Sequence, residues 1–403
     1  MNSAVSLASP HGARWSRALP RILLLGLELL FAGCTTFRRP PRKTSVEAAQ
    51  SILPASLVSN FLVIETPGDK HGPYHFIIDT GSSATLLTPD LVKRFGGRPR
   101  TNQTAVRVVG ANGQVKLLSP VTLKRLQLGT ARFEGVQALV YDLDDLSNHL
   151  GVHLDGVLGF PLFRGTLLTL DYLNPRVTIT PSGVPMALPG VTIPFNNEQN
   201  TPLIPIQLGE ESFIALVDSG SDAALSLNTV GLHPAFQFGP KPGALVATLA
   251  GDSLRMTGRL AQPLTIGAYV IENPIVDVTD ELSSIGGGLL RKFAVTFDQK
   301  RNQVIFFRPN FDPIKIGPMR STGLSFTKSA AYWRVAAVVT ESAAEMLGVQ
   351  TGDLCTRINA EPVSAWPFQR YAELLRTATH ITYTFINGNE EQQVTLPVFE
   401  LVP

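Results

Sequence analysis

The chain has little of what covalent or metal chemistry is usually built from. Cys34 and Cys355 are its only cysteines, so neither a disulfide framework nor a cysteine-held zinc site follows. No glycine-rich loop runs into a lysine to cradle phosphate, and no His-Glu-x-x-His occurs. The formal net charge is +2, and no basic stripe carries interleaved aromatics; nothing favours nucleic acid as a partner. No apolar run reaches the roughly 20 residues that a spanning helix needs. Charged residues are only 16% against 44% hydrophobic, which excludes a largely disordered chain. What is abundant is turn chemistry. Thirty prolines and 34 glycines punctuate short Val, Leu, Ile and Thr runs, the pattern of a mainly β protein. The 403 residues allow two or three domains with sizeable cores.

The N-terminus reads as an export signal. Arg14, Arg17 and Arg21 precede the apolar stretch Ile22 to Ala32, which meets Gly33-Cys34. Ala32-Gly33-Cys34 resembles the lipobox of bacterial lipoproteins. That resemblance implies lipid on Cys34, a membrane anchor and a place on the periplasmic face of the cell envelope. A plain cleaved signal and a short uncleaved anchor are the other readings of the same residues. Residues 1–34 are thus the signal and residues 35–51, rich in Arg and Pro, a tether.

The rest contains a long internal repeat. Asp79-Thr80-Gly81-Ser82 follows Phe76-Ile77-Ile78, and Asp218-Ser219-Gly220-Ser221 follows Ile214-Ala215-Leu216-Val217, 139 residues on. The landmarks downstream stay in register. Leu126 to Gly129 answers Leu264 to Gly267, and Val157-Leu158-Gly159 answers Ser284-Ile285-Gly286. Leu168 to Tyr172 answers Ala294 to Asp298. A unit of about 120 residues is too long for a solenoid repeat and suits two duplicated β lobes, residues 52–190 and 191–309. The first lobe has an extra acidic segment, Tyr141 to Leu150, which accounts for most of the length difference between the lobes and whose nearby histidines read as loop.

Two carboxylates facing each other across a lobe interface cannot both ionise cheaply, so one keeps a proton and the pair titrates together. Such a pair can take a proton from water and give one to a substrate carbonyl or amine, splitting an amide without a cofactor or metal. Asp79 and Asp218 are the candidate catalytic pair. Thr80 and Ser219 are placed to hydrogen-bond across the interface. Gly81 and Gly220 admit close backbone approach and strained turns. The Ser82 and Ser221 hydroxyls are placed to donate to the outer carboxylate oxygens.

These residues resemble the aspartic peptidases, the pepsin and retropepsin clan, whose signature is Asp-Thr/Ser-Gly followed later by an apolar-apolar-Gly segment. The resemblance covers residues 52–310. It implies closed β lobes and the shared-proton mechanism, acting on proteins or peptides. Two similar halves imply a single-chain, retropepsin-like cleft completed within one molecule. Gly110-Ala111-Asn112-Gly113 and the segment around Gly251 stand at flap positions past each aspartate. Asp222 stands where such enzymes often carry a structural acid and is expected to form an ion pair. His149, His153 and Asp155 could hold zinc if helical, but read as loop histidines, and no metal site is expected.

After Pro309 the pattern changes. Residues 310–319 read as a linker, and residues 320–403 resemble a PDZ domain. Gly323-Leu324-Ser325-Phe326 resembles its carboxylate loop, Ser342 to Leu354 its helix and turn, and Phe368 to Thr377 the helix lining its groove. That resemblance implies a peptide C-terminus held along a sheet edge. Two functions from different classes compete: an aspartic endopeptidase, and a non-catalytic lipoprotein scaffold that binds peptides through the PDZ groove. A histidine-metal hydrolase is a weaker third.

Overall fold

A computed structural model describes residues 40–67, 72–99, 105–109, 115–183, 188–248, 251–329, 331–387 and 390–403. Residues 1–34, Cys34 and the flap residues Gly110, Ala111, Asn112 and Gly113 lie outside this set. The protein is mainly β. Among the described residues no helix is long and apolar enough to cross a membrane.

Each aspartate stands at the end of a strand, and the strand that carries Asp79 is packed on both faces. Phe76, Ile77 and Ile78 in β1 (Tyr74–Asp79) are all buried, so the run is continuously apolar instead of alternating, as buried strands require. Three more segments complete the first lobe's part of the site. Helix α1 (Asp144–Leu150) leads to β2 (Gly156–Gly159), which pairs parallel with β1 and sets Gly159 opposite Asp79. The strand β3 (Thr166–Asp171) follows. In the second lobe β4 (Glu211–Val217) pairs parallel with β5 (Ser284–Ile285), and β6 (Ala294–Asp298) follows.

The lobes meet in one shared sheet. Its strand order is Val191–Pro194, Gln303–Phe307, β6, β3, Arg176–Pro181, Ser51–Val58. At its centre β3 and β6 run antiparallel with Thr169 opposite Thr296, hydroxyl to hydroxyl at 2.8 Å. Asp171 and Asp298 end these strands alike. Each accepts a turn N–H at 3.0 Å and an arginine, Arg176 at 2.9 Å and Arg301 at 2.7 Å. The two strand ends thus stand in a local two-fold arrangement. The threonines are 127 residues apart and the aspartates 139, and the difference is the insertion carrying α1. A single apolar cluster runs through both lobes.

Three expectations need correction. His149 is not a loop histidine: residues 144–150 form α1, closed by Gly151 at φ 68°, with Ser147 and Leu150 buried. Lys43–Val46 is not tether but a strand on the free edge of Ala131–Val140. Within the expected linker, Ile314–Lys315 pairs parallel with Tyr269–Glu272, and Ile314 is buried. In each case an unpaired edge or an apolar side chain finds a partner only in the folded molecule.

In the C-terminal domain β7 (Leu324–Lys328) lies at one edge, followed by Trp333–Val338, Leu354–Ile358, His380–Asn387 and Glu390–Pro397. Helix α2 (Phe368–Thr377) packs through Tyr371 onto Phe326 and Trp333. The terminal strand Phe399–Val402 buries Leu401 and Val402 with Ile275 of the second lobe. Cys355 is buried, and burial pushes its thiol up to about 12, so it behaves as a small hydrophobe.

Candidate active site

The loops after β1 and β4 are tied by four hydrogen bonds across the local two-fold. Thr80 Oγ1 donates to Val217 O at 2.6 Å and accepts the Ser219 N–H at 3.0 Å. Ser219 Oγ donates to Ile78 O at 2.7 Å and accepts the Thr80 N–H at 3.0 Å. Both side chains are fully buried. Removing one hydroxyl strands a buried carbonyl and a buried N–H. Thr80→Val and Ser219→Ala are each expected to cost about 1–3 kcal/mol, read as a lower urea midpoint with unchanged m-value.

The glycines matter for space, not for strained turns: neither Gly81 nor Gly220 has positive φ. A methyl group on Gly81 would lie 2.4 Å from Asp218 Oδ1, and one on Gly220 would lie 2.2 Å from Asp79 Cγ. Only a residue without Cβ lets each carboxyl cross the opposite loop. The expected role of the serine hydroxyls is also corrected. Ser82 supports Asp79 through its backbone N–H, which donates to Oδ1 at 3.0 Å, while its hydroxyl donates to Ala84 O at 2.8 Å. Asp218 Oδ1 accepts the Gly220 N–H at 2.9 Å, and the Ser221 N–H donates to Asp218 O at 3.4 Å. The tight turns aim main-chain donors at the carboxyls, and the Ser82 hydroxyl stabilises its own turn.

Each carboxyl lies against the glycine of the opposite loop, close enough for the two to couple. Both are half-buried. Burial, then the Asp218 charge and hydrogen bond, hold the Asp79 carboxyl well above the usual range. Burial also raises Asp218, opposed by the Gly220 N–H, by Asp79 and by the Gly81 N–H. Both carboxyls are thus raised, Asp79 the further, and they titrate as a pair.

Sequence reasoning missed two neighbours. Tyr172, just past β3, is buried, and its hydroxyl has no hydrogen-bond partner. Burial and then the two aspartates push its phenol upward, so it stays neutral. Asn60, in the turn before Phe61–Thr66, crosses from lobe one to lobe two. Its Nδ2 donates to Asp222 O at 2.6 Å and its Oδ1 accepts from Arg291 at 3.3 Å. No repeat or motif marks Asn60. Asp222 itself forms no ion pair among the described residues, correcting that expectation: burial and then Asp277 raise it to about 6.

Both flap hairpins are present in their arms. Val106–Val109 pairs with Val115–Leu128, and Phe236–Thr248 pairs with Gly251–Leu260, with Gly251 opposite Thr248 at the start of the returning arm. The histidines diverge. His149 lies in α1, not in a loop, and His153 Nε2 is 3.5 Å from Asp155 Oδ1. No group of three or more metal-ligating side chains occurs among the described residues. At the other end of the molecule Gly323 has φ 88°, and its carbonyl accepts the Val339 N–H at 2.7 Å. Leu324 and Phe326 point into the core, and Ser325 is half-buried beside a bulge.

Residues 66–162 match the family model of aspartyl proteases. That span includes Asp79, Gly81 and the strand pair β1–β2, and it supports peptide-bond hydrolysis as the class of activity. No curated protein matches the chain. Among solved structures, a PDZ domain protein from Parabacteroides distasonis shares 19% identity over 21% of this chain and 21% of its own, with a TM-score of 0.19. The chain thus spans about a fifth of that protein.

Proposed function

We propose that the chain is an aspartic endopeptidase working through a shared-proton dyad of Asp79 and Asp218. The observation that carries this is the crossing of each carboxyl against the glycine of the opposite loop, with the loops held by the reciprocal Thr80–Ser219 bonds. The ionised Asp218 takes a proton from water as its oxygen attacks the scissile carbonyl. Asp79 gives its proton to the carbonyl oxygen. Collapse of the tetrahedral species returns a proton to the leaving nitrogen and breaks the C–N bond. One chain supplies both aspartates, and the steps call for no cofactor. A statine-type inhibitor, whose hydroxyl takes the place of the attacking water, tests the reading: one inhibitor per chain should abolish cleavage of a denatured protein. No binding to folded protein, together with no cleavage of a peptide library, would support a peptide-binding scaffold instead.

The pH dependence has a definite sign. Activity needs Asp218 ionised and Asp79 protonated. Both are raised above 3.8, Asp79 the further. Rates should therefore rise as pH passes the ordinary Asp range, peak on the acidic side of neutrality, and fall as Asp79 loses its proton. A kcat/KM profile peaking above about pH 8 would contradict the assignment.

The cell-envelope location belongs to the same proposal. A lipid on Cys34 would leave eight residues before the strand at Lys43, about 30 Å fully extended. The cleft would then work close to the membrane surface. Cys34→Ser should move the protein from the membrane to the soluble fraction without changing its rate. The C-terminal domain is proposed to hold peptide C-termini along β7 in PDZ fashion.

A further inference from the structure

Helix α1 makes lobe one longer than lobe two, and the dyad chemistry does not use it. Its C-terminal end rests on the C-terminal domain. The His149 ring stacks on Phe368, the first residue of α2, with centroids 6.3 Å apart and planes at 29°. A methyl group at Gly151 would lie 2.6 Å from Lys328 Cδ and 3.4 Å from Phe368 Cδ2. Lys328 ends β7, and β7 pairs only with Trp333–Val338 in its sheet. Among the described residues no second strand pairs with β7, and α1 packs against it; an extended peptide taking main-chain hydrogen bonds along the strand's other edge would compete with α1. A peptide running antiparallel to β7, its C-terminus at Gly323, leaves past Lys328 and meets α1.

The chain from α1 leads directly under the dyad. Ser147 Oγ accepts the Leu154 N–H at 3.0 Å. Asp155 then grips β1: its N–H donates to His75 O at 2.9 Å, and its Oδ2 accepts the His75 N–H at 2.8 Å. Gly156 follows at once and opens β2, whose Gly159 stands opposite Asp79. The flap strand Phe236–Thr248 also touches α1. One short helix thus contacts the groove, a flap arm and, through five residues, the strand beneath Asp79.

We propose that α1 couples the two sites: an extended peptide with an apolar C-terminal residue, paired along β7, displaces α1 and shifts β2 beneath Asp79. The C-terminal domain then sets turnover without lending a side chain to the cleft. The rate readout rests on the peptidase reading; the conformational link does not.

The test uses the chain from residue 35 onward, with hydrogen exchange read by mass spectrometry. His149→Ala and Phe368→Ala should each speed exchange over residues 152–159 by about threefold or more and change kcat/KM by a similar factor. Phe368 packs partly against the domain core, so the half-buried His149, outside that core, keeps the test valid through His149→Ala if Phe368→Ala unfolds. The same exchange change in an Asp79→Asn background, which cleaves nothing, separates coupling from catalysis. Octapeptides with free C-termini ending in Val, Leu or Phe supply the ligand arm: those that bind should raise exchange at 152–159. Faster exchange confined to residues 144–151 and 324–328 overturns the coupling. Absence of binding, or binding that leaves 152–159 unchanged, overturns the ligand arm.

Discussion

Asp79→Asn should lower kcat/KM on a denatured protein by about 10³-fold or more while leaving the fold intact. A positioned acid or base contributes roughly 10²–10⁴ in rate, and an amide at position 79 cannot deliver the proton that the carbonyl oxygen needs. Asp218→Asn should cost a similar factor for a different reason, since its amide cannot take a proton from water. The double variant should lose little more than either single one, because residues acting as a unit are not additive. Stability supplies an independent check. A carboxyl whose folded pKa is raised binds its proton more tightly when folded, so its contribution is full below the unfolded value and fades as pH rises through the folded one. Asp79 is such a group. Asp79→Asn should therefore melt no lower than the parent at pH 7. Its relative advantage should shrink as pH falls through 3.8, below which the parent aspartate is protonated in both states. Initial rates and thermal melts across pH 4–7 measure both effects. Retention of more than about a tenth of the activity would remove Asp79 from the proton path.

The parts of this site visible in the sequence are those where chemistry fixes residue type. Asp79 and Asp218, the hydroxyls at Thr80 and Ser219, and the glycines after them recur because each role admits few side chains. Their spacing carried over because strands β3 and β6 must meet at Thr169 and Thr296. What stayed hidden depends on the assembled molecule. Helix α1 has no side-chain N-cap, since Leu143 precedes it, and seven residues do not form a stable helix alone. Burial of Leu150 and the Gly151 terminus hold it. The strands at Lys43–Val46 and Ile314–Lys315 are too short to show a period, and the edges they complete lie far off in sequence. Asn60 reaches Asp222 across 162 residues, and the Ser82 hydroxyl turns to Ala84 because the loop leaves its N–H, not its side chain, facing Asp79.

Gly220→Ala should cost activity almost as heavily as losing an aspartate, by a route that leaves both carboxyls in place. The added methyl would stand 2.2 Å from Asp79 Cγ and 2.3 Å from its Oδ1. Contact of that kind needs at least 3 Å, so the carboxyls must separate by about 1 Å, enough for roughly 10²-fold in rate. Overpacking at the lobe interface should also lower stability by about 1–3 kcal/mol. The pH profile distinguishes displacement from simple unfolding. Separation weakens the Asp218 charge and hydrogen bond on Asp79, two of the three causes that raise it. The alkaline limb of the residual activity should therefore move to lower pH. Gly81→Ala, whose methyl would meet Asp218 Oδ1 at 2.4 Å, should behave the same way from the other lobe. Gly317→Ala is the control: a methyl there meets nothing within 4 Å and φ is not positive, so rate and profile should match the parent. If Gly220→Ala instead kept the parent's pH profile and rate, the close approach of the carboxyls would not govern the reaction. The proton would then not be shared as their geometry implies.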